Sequence, residues 1–108
     1  MSADIQKDLD IIKESVLKTV PTEAIYLFGS YANGTPHKDS DLDIYVVIPD
    51  TVQDNPLNVG VAIRKNLRNK ISMAIDLLVG KSSVFNRRKQ SMTLENTIAE
   101  EGLMIYGY

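Results

Sequence analysis

Two stretches decide the fold of this 108-residue chain: residues 27–34, Leu-Phe-Gly-Ser-Tyr-Ala-Asn-Gly, and residues 41–48, Asp-Leu-Asp-Ile-Tyr-Val-Val-Ile. The first ends an apolar run that predicts a strand over 24–29, followed by a tight turn. Ser30 would cap a short helix after the turn, and Gly34 would close that helix in a left-handed conformation. Because a helix start presents free backbone N–H groups, this Gly-Ser turn suits a phosphate.

The second stretch supplies two carboxylates. Asp41 and Asp43 open a segment whose β-branched residues predict a strand over 42–48. Alternation along a strand places both acids on one face and Leu42 on the other. Residues two apart lie roughly 6.5–7 Å apart, so their carboxylate oxygens can converge on one cation. Magnesium is the expected ion, because it takes oxygen ligands and is often held by one or two carboxylates plus substrate phosphates.

A third acid, Asp76, lies in the apolar segment Ile71 to Val79, which predicts another strand. In such a buried-looking segment, an unpaired carboxylate would be costly. We therefore expect Asp76 to face the same metal site as the Asp-x-Asp pair. There it would share a second ion and accept the proton of an attacking hydroxyl group.

Helices and strands alternate along the rest of the chain. Apolar spacing predicts helices over 5–20, 56–69 and 93–101 and a short fourth strand over 103–106. The apolar positions of the second helix are Leu57, Val61, Ile63 and Leu67. The predicted fold class is α/β (α+β), with a small mixed sheet of about four strands packed with helices.

Composition is that of one globular domain over residues 1–108. Hydrophobic residues make up 44% and charged residues 24% of the chain, which does not indicate disorder. The absence of cysteine excludes disulfides and thiolate metal sites. No apolar run approaches a membrane span, and the N-terminus does not resemble a secretory signal. We therefore expect a cytoplasmic protein that does not interact with a membrane.

The net charge of −2 argues against broad nucleic-acid binding, so no direct nucleic-acid partner is expected. Two local clusters of basic residues are nevertheless present. One contains Arg64, Lys65, Arg68 and Lys70, and the other contains Arg87, Arg88 and Lys89. Such residues are common on solvated helix faces and near helix C-termini. Alternatively, one cluster faces nucleotide phosphates or an acidic partner, and the order of residues leaves both interpretations open.

The pattern of motifs resembles that of the nucleotidyltransferase superfamily, which includes DNA polymerase β. It consists of the Gly-Ser turn, ten intervening residues, the Asp-x-Asp pair and a later lone Asp. The chain is similar to members of the smallest branch of this superfamily, the minimal nucleotidyltransferases. The similarity lies in the short length, the sequence Gly-Ser-Tyr-Ala-Asn-Gly and the C-terminal residues 97–106. The resemblance spans roughly residues 24–106 and implies a polymerase β-like fold. One departure from the family pattern is Asn33, where many relatives have Arg. The loss of this Arg would affect the affinity for phosphate or a partner rather than the chemical reaction.

The resemblance also implies roles for individual residues. Gly29 and Ser30 would bind the nucleotide triphosphate. Asp41, Asp43 and Asp76 would be catalytic residues and ligands of two Mg²⁺ ions. Without metal, three close carboxylates repel one another, so at least one should have a raised pKa.

Family members of this size resemble antitoxins whose partner is a helical HEPN-domain ribonuclease toxin. The resemblance implies a protein adenylyltransferase that acts as a type VII antitoxin in a hetero-oligomer. It would transfer AMP from ATP to a Tyr hydroxyl of the toxin and release pyrophosphate. Two alternatives are a non-catalytic antitoxin that blocks its toxin by binding and a transferase for a small molecule such as an aminoglycoside. The intact acids count against the first, and the lack of an acceptor domain counts against the second.

Overall fold

The computed structural model describes residues 3–36 and 41–107. Its helices are α1 (Ala3–Thr19), α2 (Ser30–Asn33), α3 (Pro56–Leu67), α4 (Ser82–Arg88) and α5 (Leu94–Glu101). Its strands are β1 (Ala24–Phe28), β2 (Leu42–Ile48), β3 (Ile75–Lys81) and β4 (Leu103–Tyr106). The predicted fold class is confirmed, since one mixed sheet of four strands packs with the helices. Within the described residues, no helix has the length and apolar character needed to cross a membrane.

The order of the strands in the sheet is β3-β2-β1-β4. Strand β1 is antiparallel to β2 and β4, whereas β2 and β3 are parallel. The register places Asp43 opposite Asp76 on β3 and opposite Phe28 on β1. Because residues paired across neighbouring strands point to the same side, these three side chains share one face of the sheet, which we call the acid face.

The other face of the sheet is the main core. Helices α1 and α3 pack on it, and alternate residues of the central strands point into it. The buried members of this core are Leu9, Ile12, Val16, Val20, Ile25, Leu27, Leu42, Ile44, Val46, Ile48, Val59, Ile63, Leu67 and Leu77. The even-numbered residues of β2 are therefore packed into the core, and its odd-numbered residues point to the acid face.

Helices α4 and α5 cover part of the acid face. Phe85 of α4 lies with its ring centroid 5.3 Å from that of Tyr45. The Tyr45 hydroxyl donates a hydrogen bond to Glu95 of α5 (3.2 Å), and Glu95 also accepts one from Nε of Arg88 (3.0 Å). A Cβ on Gly80 would overlap the Tyr45 hydroxyl, so this position on β3 requires glycine.

Strand β3 differs most from its prediction, because it begins at Ile75 rather than Ile71 and ends at Lys81. The carboxylate of Asp8 on α1 accepts hydrogen bonds from the backbone N–H groups of Ser72 (3.2 Å) and Met73 (3.2 Å). It also accepts one from the Ser72 hydroxyl (2.9 Å). These backbone groups bond to a helix side chain, and the strand starts only after them.

Helix α3 buries a different face from the predicted one. Leu57 and Val61 were predicted to be apolar core positions, but they are 80% and 53% exposed. Val59 and Gly60 are buried in their place, together with the correctly predicted Ile63 and Leu67. Helix α4 was not predicted at all.

Candidate active site

The turn between β1 and α2 depends on Gly29. Its φ of 73° and ψ of −153° form a combination that residues with a Cβ rarely adopt. The prediction that Ser30 caps the helix is wrong, because Gly29 occupies the N-cap position and Ser30 is the first helical residue. Gly34 closes α2 in the left-handed conformation, with φ 76° and ψ 20°, as predicted.

The backbone of this turn lies directly against one of the acids. A Cβ on Gly29 would overlap Oδ2 of Asp43 and would lie 3.1 Å from its Cγ. The close approach is possible only because Gly29 has no side chain. The turn and the carboxylate therefore border the same space at the start of β2.

The three acids lie around that space. Asp41 is exposed just before β2, and Asp43 is half-buried on the strand. Asp76 lies opposite Asp43 on the parallel neighbour β3, where strands are about 4.8 Å apart. The prediction that Asp76 is in a buried segment is wrong, because β3 is an edge strand and the Asp76 side chain is exposed on the acid face.

Electrostatics confirms that these acids interact. The pKa of Asp43 is raised, first by burial of its carboxyl group and then by the negative charges of Asp76 and Asp41. This agrees with the prediction that at least one of the three would have a raised pKa. The repulsion disfavours the charged form of Asp43 and makes the site attractive to a cation.

The side chains present are compatible with magnesium. All three are carboxylates, which are the hard oxygen ligands that magnesium prefers. In the part of the chain that is described, no three acidic, histidine or cysteine side chains stand close enough to form a ready-made metal site. Binding an ion here would therefore require rotation of these side chains, together with further oxygen ligands, which a nucleotide triphosphate supplies.

A large groove lies elsewhere in the molecule, away from the three acids. A groove of about 460 Å³ lies between α1 and α3, and its lining includes Glu14, Asn66 and Lys70. That groove is on the opposite side of the sheet from the acids. We place the candidate site at the acids, because the raised pKa, the strained turn and the strand register coincide there.

Asp8 is a residue that motif reading missed. It is only 4% exposed, and it fixes the segment that leads into β3 and so to Asp76. A signal for it was present in the sequence. Asp8 stands four residues before the buried Ile12, so it lies on the apolar side of an amphipathic helix, where an acid needs partners.

Known proteins resemble this chain over most of its length. The family model for the nucleotidyltransferase domain matches residues 9–100. Protein adenylyltransferase MntA of Shewanella oneidensis is 32% identical over 101 residues. That alignment covers 94% of this chain and 63% of MntA, so the chain spans less than two thirds of the length of this relative.

Solved structures of toxin–antitoxin complexes are also similar. A chain in the structure of a variant complex that contains MntA has a TM-score of 0.64 and 26% identity. A chain in the structure of a toxin–antitoxin with AMP-PNP has a TM-score of 0.59 and the same identity. Each alignment covers 93% of this chain and 73% of the other chain.

Proposed function

Because the chain belongs to the nucleotidyltransferase domain family, we propose that it transfers AMP from ATP to a hydroxyl group of a protein. The main support in the structure is the register that sets Asp43 opposite Asp76 beside the turn at Gly29. This arrangement combines a backbone suited to phosphate with a group of carboxylates in which burial and the neighbouring acids raise the pKa of Asp43. MntA, a relative of similar sequence, is named as a protein adenylyltransferase.

In this proposal, Gly29 and Ser30 bind the triphosphate. The backbone can approach a phosphate closely at Gly29, because no side chain stands in the way. The N–H groups at the start of α2 have no partner in a preceding helical turn and are free to donate to phosphate oxygens. The Ser30 hydroxyl adds a further donor.

Asp41, Asp43 and Asp76 are the proposed ligands of two Mg²⁺ ions. When bound, the ions supply charge neutralisation for the triphosphate and lower the pKa of an attacking hydroxyl. Asp76 is exposed on the acid face, so it can accept the proton of that hydroxyl. The hydroxyl oxygen forms a bond to the α-phosphorus of ATP, the bond from that phosphorus to the β-phosphate bridging oxygen breaks, and pyrophosphate leaves.

We infer that the acceptor is a Tyr hydroxyl of a HEPN-domain toxin and that the chain acts as its antitoxin. The support is the likeness to chains of toxin–antitoxin complexes, one of them solved with AMP-PNP. Neutralisation by binding alone remains the alternative. Adenylylation needs the acids, whereas blocking by binding does not. A substitution of one acid should therefore abolish the first and leave the second intact.

Intact-mass spectrometry of the partner protein separates the two functions. The partner is incubated with this chain, ATP and Mg²⁺, and adenylylation adds roughly 329 Da per event, as expected for AMP transfer. Asp76→Asn should abolish the added mass while the complex still forms. Asp54→Asn, which removes an exposed acid in the loop between the C-terminal end of β2 and α3, is the matched control and should leave transfer intact. Neutralisation by Asp76→Asn without any added mass in either protein would establish blocking by binding instead.

A further inference from the structure

The two basic clusters of the sequence have different surroundings in the structure. In the cluster that follows β3, Arg88 donates to Glu95 at 3.0 Å. In the same cluster, Nζ of Lys89 lies 5.8 Å from the centroid of the Phe85 ring. Arg88 therefore joins α4 to α5, and Lys89 packs against a ring of its own helix. Two of the three members of this cluster are thus used within the fold.

Within the described residues, the positive charges of the cluster at the C-terminal end of α3 are not paired in this way, although Arg64 donates one hydrogen bond to a backbone carbonyl. Arg64, Lys65 and Arg68 are exposed. Within residues 3–36 and 41–107, no carboxylate lies within ion-pair distance of Arg64 or Arg68. Since the chain carries a net charge of −2, this is a local concentration of unpaired positive charge on an otherwise acidic protein.

Arg64 and Arg68 line a groove of about 380 Å³ between the end of α3 and the segment that leads into β3. The apolar residues that line it with them are Leu67, Ile71, Met73, Ala74 and Ile75. Nη1 of Arg64 donates to the carbonyl oxygen of Ile75 at 3.4 Å. Asp76 follows Ile75 on the same edge strand, but successive strand residues point to opposite faces, so the groove lies on the α3 side of β3 and the Asp76 side chain lies on the acid face.

Hydrogen bonds to other elements fix the backbone of the segment that lines this groove. Asp8 binds the backbone N–H groups of Ser72 and Met73, and the Leu42 N–H donates to the Ala74 carbonyl at 3.0 Å. The segment is thus tied both to α1 and to the strand that carries Asp43. A surface already held in place loses little entropy when a partner binds.

The exposed side of α3 continues this surface. Leu57, Val61 and Arg64 are spaced by four and three residues, so they form one stripe along the helix, and Arg68 follows it at the C-cap. Its first half is apolar, with Leu57 80% exposed, and its second half is basic. We call the stripe and the groove together the α3 surface.

We propose that the α3 surface binds an acidic amphipathic segment of the protein acceptor. This inference rests on the proposed function, because it names where the acceptor docks. Glutamates or aspartates of the segment pair with Arg64 and Arg68, and its apolar side chains cover Leu57 and Val61. Nucleic acid fits less well, because aliphatic side chains do not provide the stacking that bases require and the net charge repels a polyanion.

The test is direct binding of a synthetic peptide, measured without ATP or metal. The probe is a fluorescein-labelled helical peptide that contains Tyr, Leu and Glu, and the comparison peptide has each Glu replaced by Gln. Fluorescence anisotropy should show that only the Glu peptide binds and that Arg64→Glu/Arg68→Glu weakens its binding roughly tenfold. Lys65→Glu is the matched control for each single reversal, because it makes the same charge change as Arg64→Glu on the same helix outside the groove, and its effect should be about twofold or less.

Several outcomes would overturn the inference. They are equal binding of the Glu and Gln peptides, absence of binding by both, an effect of Lys65→Glu as large as that of the double variant, or tighter Arg-dependent binding of a single-stranded oligonucleotide. Thermal unfolding of each variant, together with Arg64→Ala/Arg68→Ala, separates lost binding from lost folding.

Failure of the inference and failure of the proposed function are distinguishable. If the Glu peptide binds but no AMP is ever transferred, the docking surface stands and the proposed function fails. If AMP transfer to the partner protein is unchanged in Arg64→Glu/Arg68→Glu, only the docking surface fails.

Discussion

Replacing Gly29 by Ala tests whether the turn and the Asp43 carboxylate form one site. The added methyl group acts in two ways. It places an L-residue at φ 73° and ψ −153°, which costs of order 1–3 kcal/mol. It also overlaps Oδ2 of Asp43, so the carboxylate must move away from the turn.

Gly34→Ala is a matched control that contains only the first effect. Gly34 also has a positive φ, 76°, so Ala there costs about 1–2 kcal/mol of backbone strain. However, among residues 3–36 and 41–107, apart from the adjoining backbone, no atom lies within 4 Å of the Cβ that Ala would add. Both variants should therefore lower the free energy of unfolding, Gly29→Ala by the larger amount, and only Gly29→Ala displaces Asp43.

The assay combines urea unfolding with calorimetric titration of AMP-PNP in the presence of Mg²⁺. We expect Gly29→Ala to weaken binding by roughly 10–100-fold, the loss typical of disturbing the support of a metal ligand. Gly34→Ala should bind about as well as the wild-type protein. If both variants weaken binding equally, the loss reflects strain in the loop, and the contact between Gly29 and Asp43 has no functional role.

Three further substitutions test other parts of the structure. Burial and neighbouring acids raise the pKa of Asp43 above its value in the unfolded chain. The protonated form of Asp43 therefore stabilises the fold at low pH, and this stabilisation is lost as the pH rises through the folded-state pKa. Asp43→Asn should therefore raise the thermal midpoint at neutral pH without metal, with a smaller gain in acid; a lowered midpoint would contradict this. Gly80→Ala should cost about 2–4 kcal/mol in urea unfolding, because its Cβ overlaps the Tyr45 hydroxyl, and most of the cost should vanish in a Tyr45→Phe background. Asp8→Ala should cost about 2–4 kcal/mol in the same assay, because it leaves buried N–H groups unpaired, and a change below about 0.5 kcal/mol would show that they find other partners.

Local sequence was sufficient for several elements of the fold. Strands 42–48 and 103–106 were predicted with their observed bounds, because alternation and β-branched residues are read from neighbours in sequence. The left-handed Gly34 was also predicted, since its role depends on the turn alone. The placement of Asp43 on the face opposite Leu42 followed from the period of a strand and is confirmed.

Features that depend on distant residues could not be read in this way. The start of β3 is set by hydrogen bonds to Asp8, more than sixty residues earlier in the chain. The exposure of Asp76 depends on which part of the acid face is covered by helices, which is a property of packing between elements distant in sequence. Leu57 and Val61 fit a helical apolar pattern, but α3 packs through the face that contains Val59 and Ile63. For the candidate site, the sequence identified the acids and the turn, and their assigned roles stay predictions.

Calorimetric titration of the acid variants tests those roles most directly. AMP-PNP is titrated into the wild-type protein and into Asp41→Asn/Asp43→Asn, each with Mg²⁺ and with EDTA. If these carboxylates form the metal–nucleotide site, the wild-type protein binds AMP-PNP only with Mg²⁺, and the double variant loses that binding while it remains folded. Equal binding by both proteins, independent of the metal, would contradict the assignment of the active site to the acid face.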